Sequence, residues 1–144
     1  MSAACAFCAI AAGTAPARTV HETNETVAFF PDVPAVPGHT LVIPKMHVPD
    51  FLHADEQVAA AVARATTMVG RALDDLLRPE GMNAITSARE AATQSVMHLH
   101  VHVLPRWRGD AMPDLWPPDR PAPAHELDEL AAALRQSLRS SSAG

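Results

Sequence analysis

Three histidines alternate with apolar residues in the run His98-Leu99-His100-Val101-His102-Val103-Leu104-Pro105. An extended chain sends successive side chains to opposite faces. A strand here therefore sets the three imidazoles on one face, about 6–7 Å apart, and turns Leu99, Val101 and Val103 toward a core. Near neutral pH an imidazole can be nucleophile, proton donor or metal ligand. Packing alone explains the trio poorly, because a buried imidazole needs a hydrogen-bond partner and adjacent rings repel once protonated. Along one strand the first and last rings lie about 13 Å apart, too far for all three to chelate a single ion, so they must divide the work. A second group is Cys5-x-x-Cys8, two cysteines that are too few for a disulfide framework and close enough to grip one metal. A redox reading of that motif needs a preceding strand and a βαβ setting, and the chain offers neither.

The elements that must position these groups follow from periodicity and breakers. Cys5 to Ala12 reads as a short helix ended by Gly13. Thr19–Glu22, Val27–Phe30 and Thr40–Ile43 read as strands of an antiparallel meander, separated by Asn24, Pro31-Asp32 and the Pro34–Gly38 turn signals. From Asp55 to Leu77 the apolar positions Val58, Val62, Ala65, Val69, Leu73 and Leu76 recur every three or four residues, which predicts a long amphipathic helix. Asn83–Ser87 and Val96–Leu104 are two further strands, the second carrying the histidines. Five prolines from Pro113 to Pro123 enforce an extended connector, and Leu127, Leu130, Leu134 and Leu138 mark a last helix over Glu126–Arg139. The fold class that results is α+β: an antiparallel sheet of about five strands, the long helix on one face, the histidines on the other, and helices at both ends.

The His-φ-His-φ-His-φ-φ pattern, with φ apolar, resembles the signature of the histidine triad family of nucleotide hydrolases and transferases. Gly38-His39-Thr40-Leu41-Val42-Ile43-Pro44-Lys45 is a second stretch similar to that family. The resemblance covers roughly Cys5 to Arg106. It implies that His100 attacks the α-phosphorus of a nucleotide to form a nucleotidyl-histidine that water later hydrolyses. It implies that His102 hydrogen-bonds the phosphate and the leaving atom, with His39 beside them. Gln94 and Ser95 match the family's pair that contacts phosphate and leaving group. Phe30-Pro31-Asp32-Val33 resembles the nucleoside-binding segment, in which Asp32 takes both ribose hydroxyls, as a carboxylate can. Phe7, Ile10, Phe30 and Val33 then enclose the base or serve as plain core. The spacings from Cys8 to His47 and from His47 to His98 match a zinc-bearing bacterial branch, which implies a structural zinc held by Cys5, Cys8, His47 and His98.

Two departures bear on rate and substrate. Ser87 falls where an asparagine usually approaches the nucleotide, and Thr93 replaces a glycine near the phosphate. Arg89 stands nearby as a compensating phosphate contact or a solvated surface residue. The expected activity is that of a phosphoramidase or nucleotidyl hydrolase on a purine nucleotide substrate. The alternatives are a dinucleoside polyphosphate hydrolase and a nucleotide-binding regulatory protein with little turnover.

Size and charge bound the rest. The 144 residues, 48% of them hydrophobic, suffice for one domain with a real core, expected over residues 1–139 with a disordered tail at 140–144. A net charge of −5 and a single lysine, Lys45, argue against a broad nucleic-acid surface. Ala3 to Ala12 lacks the basic start of a secretion signal and is too short to span a bilayer, so a cytoplasmic protein without a membrane partner is expected. The family resemblance implies a homodimer. Trp107 and Trp116, the latter in the Pro-rich connector, are candidates for an interface.

Overall fold

The computed structural model describes residues 5–142, and contacts divide the chain into two compact units that meet at Met112 and Pro113. In the first, helix α1 (Ala6–Ala11) is followed by strands β1 (Arg18–Glu22), β2 (Thr26–Phe30) and β3 (Thr40–Pro44), helix α2 (Glu56–Leu77), and strands β4 (Gly81–Ile85) and β5 (Val101–Arg106). The five strands form one sheet in the order β1-β2-β3-β5-β4, and every adjacent pair is antiparallel. This is the α+β architecture expected from the chain. No helix among the described residues is long and apolar enough to cross a membrane.

Alternation along the strands produces two cores. One face packs Ala28, Val42, Leu99 and Val103 against Val58, Val62, Ala65, Val69 and Leu73 of α2. The other gathers Val27, Phe29, Leu41 and Ile43 around Phe7 of α1. Each fully buried valine, leucine, isoleucine or phenylalanine here contributes on the order of 1.5–3 kcal/mol. Helix α2 starts where Asp55 accepts a hydrogen bond from Val58 N at 2.8 Å, and it stops at Arg78, whose backbone is left-handed at φ 50°. Leu76 falls outside the helix's buried stripe and is 77% exposed, while Leu77 packs on the core in its place.

Most element boundaries differ from the sequence reading by a residue or two, and three of the differences bear on the site or the tail. Strand β5 begins at Val101, not Val96, so His98 and His100 lie on an extended lead-in and only His102 is in the ladder. That lead-in makes no ladder pairs; it is held by Leu99 N donating to Val48 O at 2.7 Å and by Thr86 Oγ1 donating to His100 O at 2.8 Å. Strand β4 ends at Ile85, short of Ser87, where the chain turns to that bond. In the second unit residues 113–123 carry neither helix nor strand, and α3 spans Ala124–Ser142. Ser140, Ser141 and Ser142 are therefore helical instead of disordered, and each hydroxyl bonds the carbonyl four residues back. Residues 143 and 144 of the expected tail lie outside the described residues.

Candidate active site and metal centre

The histidines stand on the face opposite α2. His102 pairs in register with Leu41 of β3 on one side and Ile85 of β4 on the other, which places it at the middle of the sheet. His39 reaches it from the turn before β3, where Gly38 at φ +81° allows the chain to enter the strand.

Hydrogen bonds assign a proton to each ring. A carbonyl only accepts, so His98 donates from Nε2 to Pro44 O at 2.8 Å and keeps a bare Nδ1. By the same logic His100 donates from Nδ1 to His98 O at 2.8 Å, which leaves its Nε2 lone pair free. Ala35 N donates to His39 Nδ1 at 3.0 Å, so the neutral His39 carries its proton on Nε2 and donates it to His102 Nδ1 at 2.9 Å. His102 then presents a protonated Nε2. Burial favours the neutral forms of three of them: it lowers the pKa of His39 and of His98, and together with the neighbouring rings it pushes His102 down to about 4. The site thus pairs an unprotonated ring nitrogen on His100 with an uncharged N–H donor on His102, their ring centroids 4.9 Å apart.

Phe7 is the wedge beneath the rings. It meets His100 edge to face at 5.2 Å, His98 at 6.0 Å and Phe29 at 5.6 Å. It belongs to the core, with Ile10 packed against the same cluster. Phe30 and Asp32 line a recess of about 250 Å³ that runs from Arg18 to His39. Asp32 is exposed and accepts a hydrogen bond from Arg18 at 3.0 Å. Val33 projects outward at 87% exposure. Ser87 is half-buried and Ser95 exposed. Gln94 is buried, with its amide donating to the carbonyls of Pro49 and Val96 while its oxygen accepts from Arg89 N. Gln94 is therefore the internal brace of its loop. Arg18 and Thr86 escape sequence reasoning, since an arginine opening a strand and a threonine closing one carry no signal of their own.

The four metal-ligand candidates come from α1, from the loop after β3 and from the lead-in to β5, and their donor atoms all lie within 4.8 Å of one another. Cys5 Sγ and Cys8 Sγ are each 3.5 Å from His98 Nδ1, Cys8 Sγ is 3.2 Å from His47 Nδ1, and the two Nδ1 atoms are 3.1 Å apart. With zinc–sulfur bonds of about 2.3 Å and zinc–nitrogen bonds of about 2.0–2.1 Å, the edges of a tetrahedron come to about 3.3–3.8 Å. The set fits a Cys₂His₂ metal site. The Pro44 carbonyl on His98 Nε2 is the outer contact that orients a metal-binding imidazole. Burial, with Cys5 alongside, raises the Cys8 thiol above its ordinary value, a penalty that a bound cation would reverse.

The HIT domain model matches residues 12–109, most of the chain. The chain belongs to the HIT family, the histidine triad nucleotide hydrolases and transferases. Among HIT relatives, the protein hit of Bacillus subtilis is 36% identical over 113 residues, 78% of each chain. A solved structure from Streptococcus mutans superposes with a TM-score of 0.90 at 33% identity, covering 96% of this chain and 87% of that one. A Zn-bound histidine triad family protein from Mycobacterium smegmatis gives a TM-score of 0.71 at 33% identity, covering 98% of this chain and 99% of the other.

Proposed function

We propose that this HIT protein hydrolyses a purine nucleoside phosphoramidate, or a related nucleotide ester, at the α-phosphate through a nucleotidyl intermediate on His100. The observation that carries this reading is the His100 hydrogen bond to the His98 carbonyl, which commits Nδ1 as donor and leaves Nε2 with its lone pair. That lone pair forms the nitrogen–phosphorus bond. The scissile bond breaks with its electrons going to the leaving nitrogen, which takes a proton from solvent and departs as an amine. His102, with its proton on Nε2, is the donor for a phosphoryl oxygen. Water then attacks phosphorus, loses a proton to solvent and returns the lone pair to His100. Asp32 is read as the ribose ligand, with Phe30 and Val33 toward the base and Ser87 and Ser95 toward the phosphate. Phe7 and Ile10 support the rings from the core.

Zinc is proposed for the Cys5, Cys8, His47 and His98 site, where it would cross-link α1 to the catalytic segment and leave His100 and His102 free. Thiols that must stay reduced suit a cytoplasmic protein, and resemblance to a family of homodimers extends the proposal to a second copy. A slow, nucleotide-sensing version of the same pocket is the second reading, favoured by Gln94, whose amide protons are spent on backbone carbonyls.

The test is incubation with adenosine 5′-phosphoramidate and with a diadenosine polyphosphate, followed by mass spectrometry of acid-quenched enzyme. Turnover of the first, with a nucleotidyl adduct on the His100 peptide that His100→Ala abolishes, is expected. Binding without adduct or product would favour the sensing role, and preferred cleavage of the second would move the substrate to polyphosphates.

A further inference from the structure

We infer that Thr86 is a positioning residue that aims His100, a role that rests on the reading of His100 as nucleophile. The β4–β5 ladder stops at the pair Ile85 and His102. His100 lies two residues upstream of that pair, where sheet hydrogen bonding has ended, yet its main chain must be fixed because its ring is oriented through the backbone at His98. Thr86, the residue just after β4, sends its Oγ1 proton to the His100 carbonyl at 2.8 Å and so replaces a missing ladder donor with a side chain. On the opposite side of the segment Leu99 N is held by Val48 O at 2.7 Å. The two bonds thus hold the peptide units that flank the Leu99–His100 peptide, one before it and one after it, around the reacting residue.

Thr86 also lines an apolar recess with Val62, Leu99 and Val101. A valine in its place keeps the shape and loses only the donor. Without that donor the His100 peptide is free to tilt, and an ångström of misplacement at a reacting atom lowers a rate by about 100-fold. Because the recess that Thr86 lines is walled by α2, on the face opposite the histidines, loss of the Thr86 donor falls on kcat and spares KM.

The experiment measures kcat, KM and melting temperature of Thr86→Val, Thr86→Ser and His100→Ala on adenosine 5′-phosphoramidate. The expected result is a kcat lowered about 10- to 100-fold in Thr86→Val with KM within about twofold, and recovery to within about threefold in Thr86→Ser, which keeps the hydroxyl. An unchanged kcat in Thr86→Val overturns the inference. So does an equal loss in both Thr86 variants, or a loss that tracks a lowered melting temperature and vanishes in assays well below it. Activity surviving in His100→Ala overturns the nucleophile reading itself and the Thr86 role with it.

Discussion

Proton bookkeeping at single residues makes His39, His98, His100 and His102 non-equivalent, although the sequence writes them alike. The same logic sets the acid behaviour of the fold. His102 titrates near 4 in the folded chain against roughly 6.5 when unfolded, and His39 leans the same way. Between those values the unfolded chain binds more protons, so stability is complete above about pH 6.5 and falls as pH drops toward about 4. Asp110 adds a second, lower step. Arg106 grips its carboxylate at 2.7 and 3.0 Å and holds its pKa at about 2, so its contribution persists above about pH 4 and disappears as pH falls through about 2. Urea unfolding as a function of pH should show both steps, with His102→Gln reducing the first and Asp110→Asn removing the second. Arg89 offers a different residue-level test. Its φ of 76° with ψ of 166° belongs to a region that glycine alone adopts without strain, and the cost is about 1–3 kcal/mol. Arg89→Gly relieves that strain while adding about 0.5–1 kcal/mol of unfolded-state entropy. The net expectation is a protein about 1 kcal/mol more stable, read from the urea midpoint; a less stable variant would mean that the backbone there is unstrained.

At the scale of elements, the turn into β3 is the most sensitive joint. A Cβ on Gly38 would stand 2.6 Å from Leu77 Cδ1 and 3.1 Å from Pro105 Cγ, on a backbone already at φ +81°. Gly38→Ala should therefore cost about 2–4 kcal/mol, as clash and left-handed strain add, and should loosen His39 from His102. A melting temperature within a degree or two of the parent would refute this. The elements were legible in the chain in proportion to how far local pattern decided them. Helix α2 announces itself by 22 residues of amphipathic period and an Asp55 cap. Strand β5 misleads at its start because Val96, His98 and His100 continue the alternation after ladder pairing has ended, and a side-chain bond from Thr86 stands in for the ladder. The end of α3 misleads for the converse reason, since three serines read as a frayed tail yet bond back into the last turn.

For the molecule as a whole, the decisive question is what joins a six-residue helix to the histidine-bearing segment, because α1 is too short to be stable by itself. Its Cys5 caps its own first turn by accepting from Cys8 N at 3.4 Å, and Phe7 seats it under the histidine rings. The remaining tie is the Cys₂His₂ cluster, whose members stand up to 93 residues apart in the chain. No local pattern links such distant positions, so His47 and His98 were legible as ligands only through resemblance, whereas Cys5-x-x-Cys8 was visible as a pair. If the cluster holds zinc, metal binding and folding of this end of the protein are one equilibrium. Purified protein should carry close to one zinc per chain by elemental analysis, and Cys8→Ala should lose the metal and melt about 10–20 °C lower, the shift expected for a few kcal/mol in a domain of this size. Stripping with a strong chelator should lower the parent to the same melting temperature and leave Cys8→Ala unchanged, which separates loss of metal from loss of a packed side chain. A metal-free parent that melts with its zinc-treated counterpart would show that packing around Phe7 suffices to hold α1, and the cluster would then be a pair of thiols beside two hydrogen-bonded histidines.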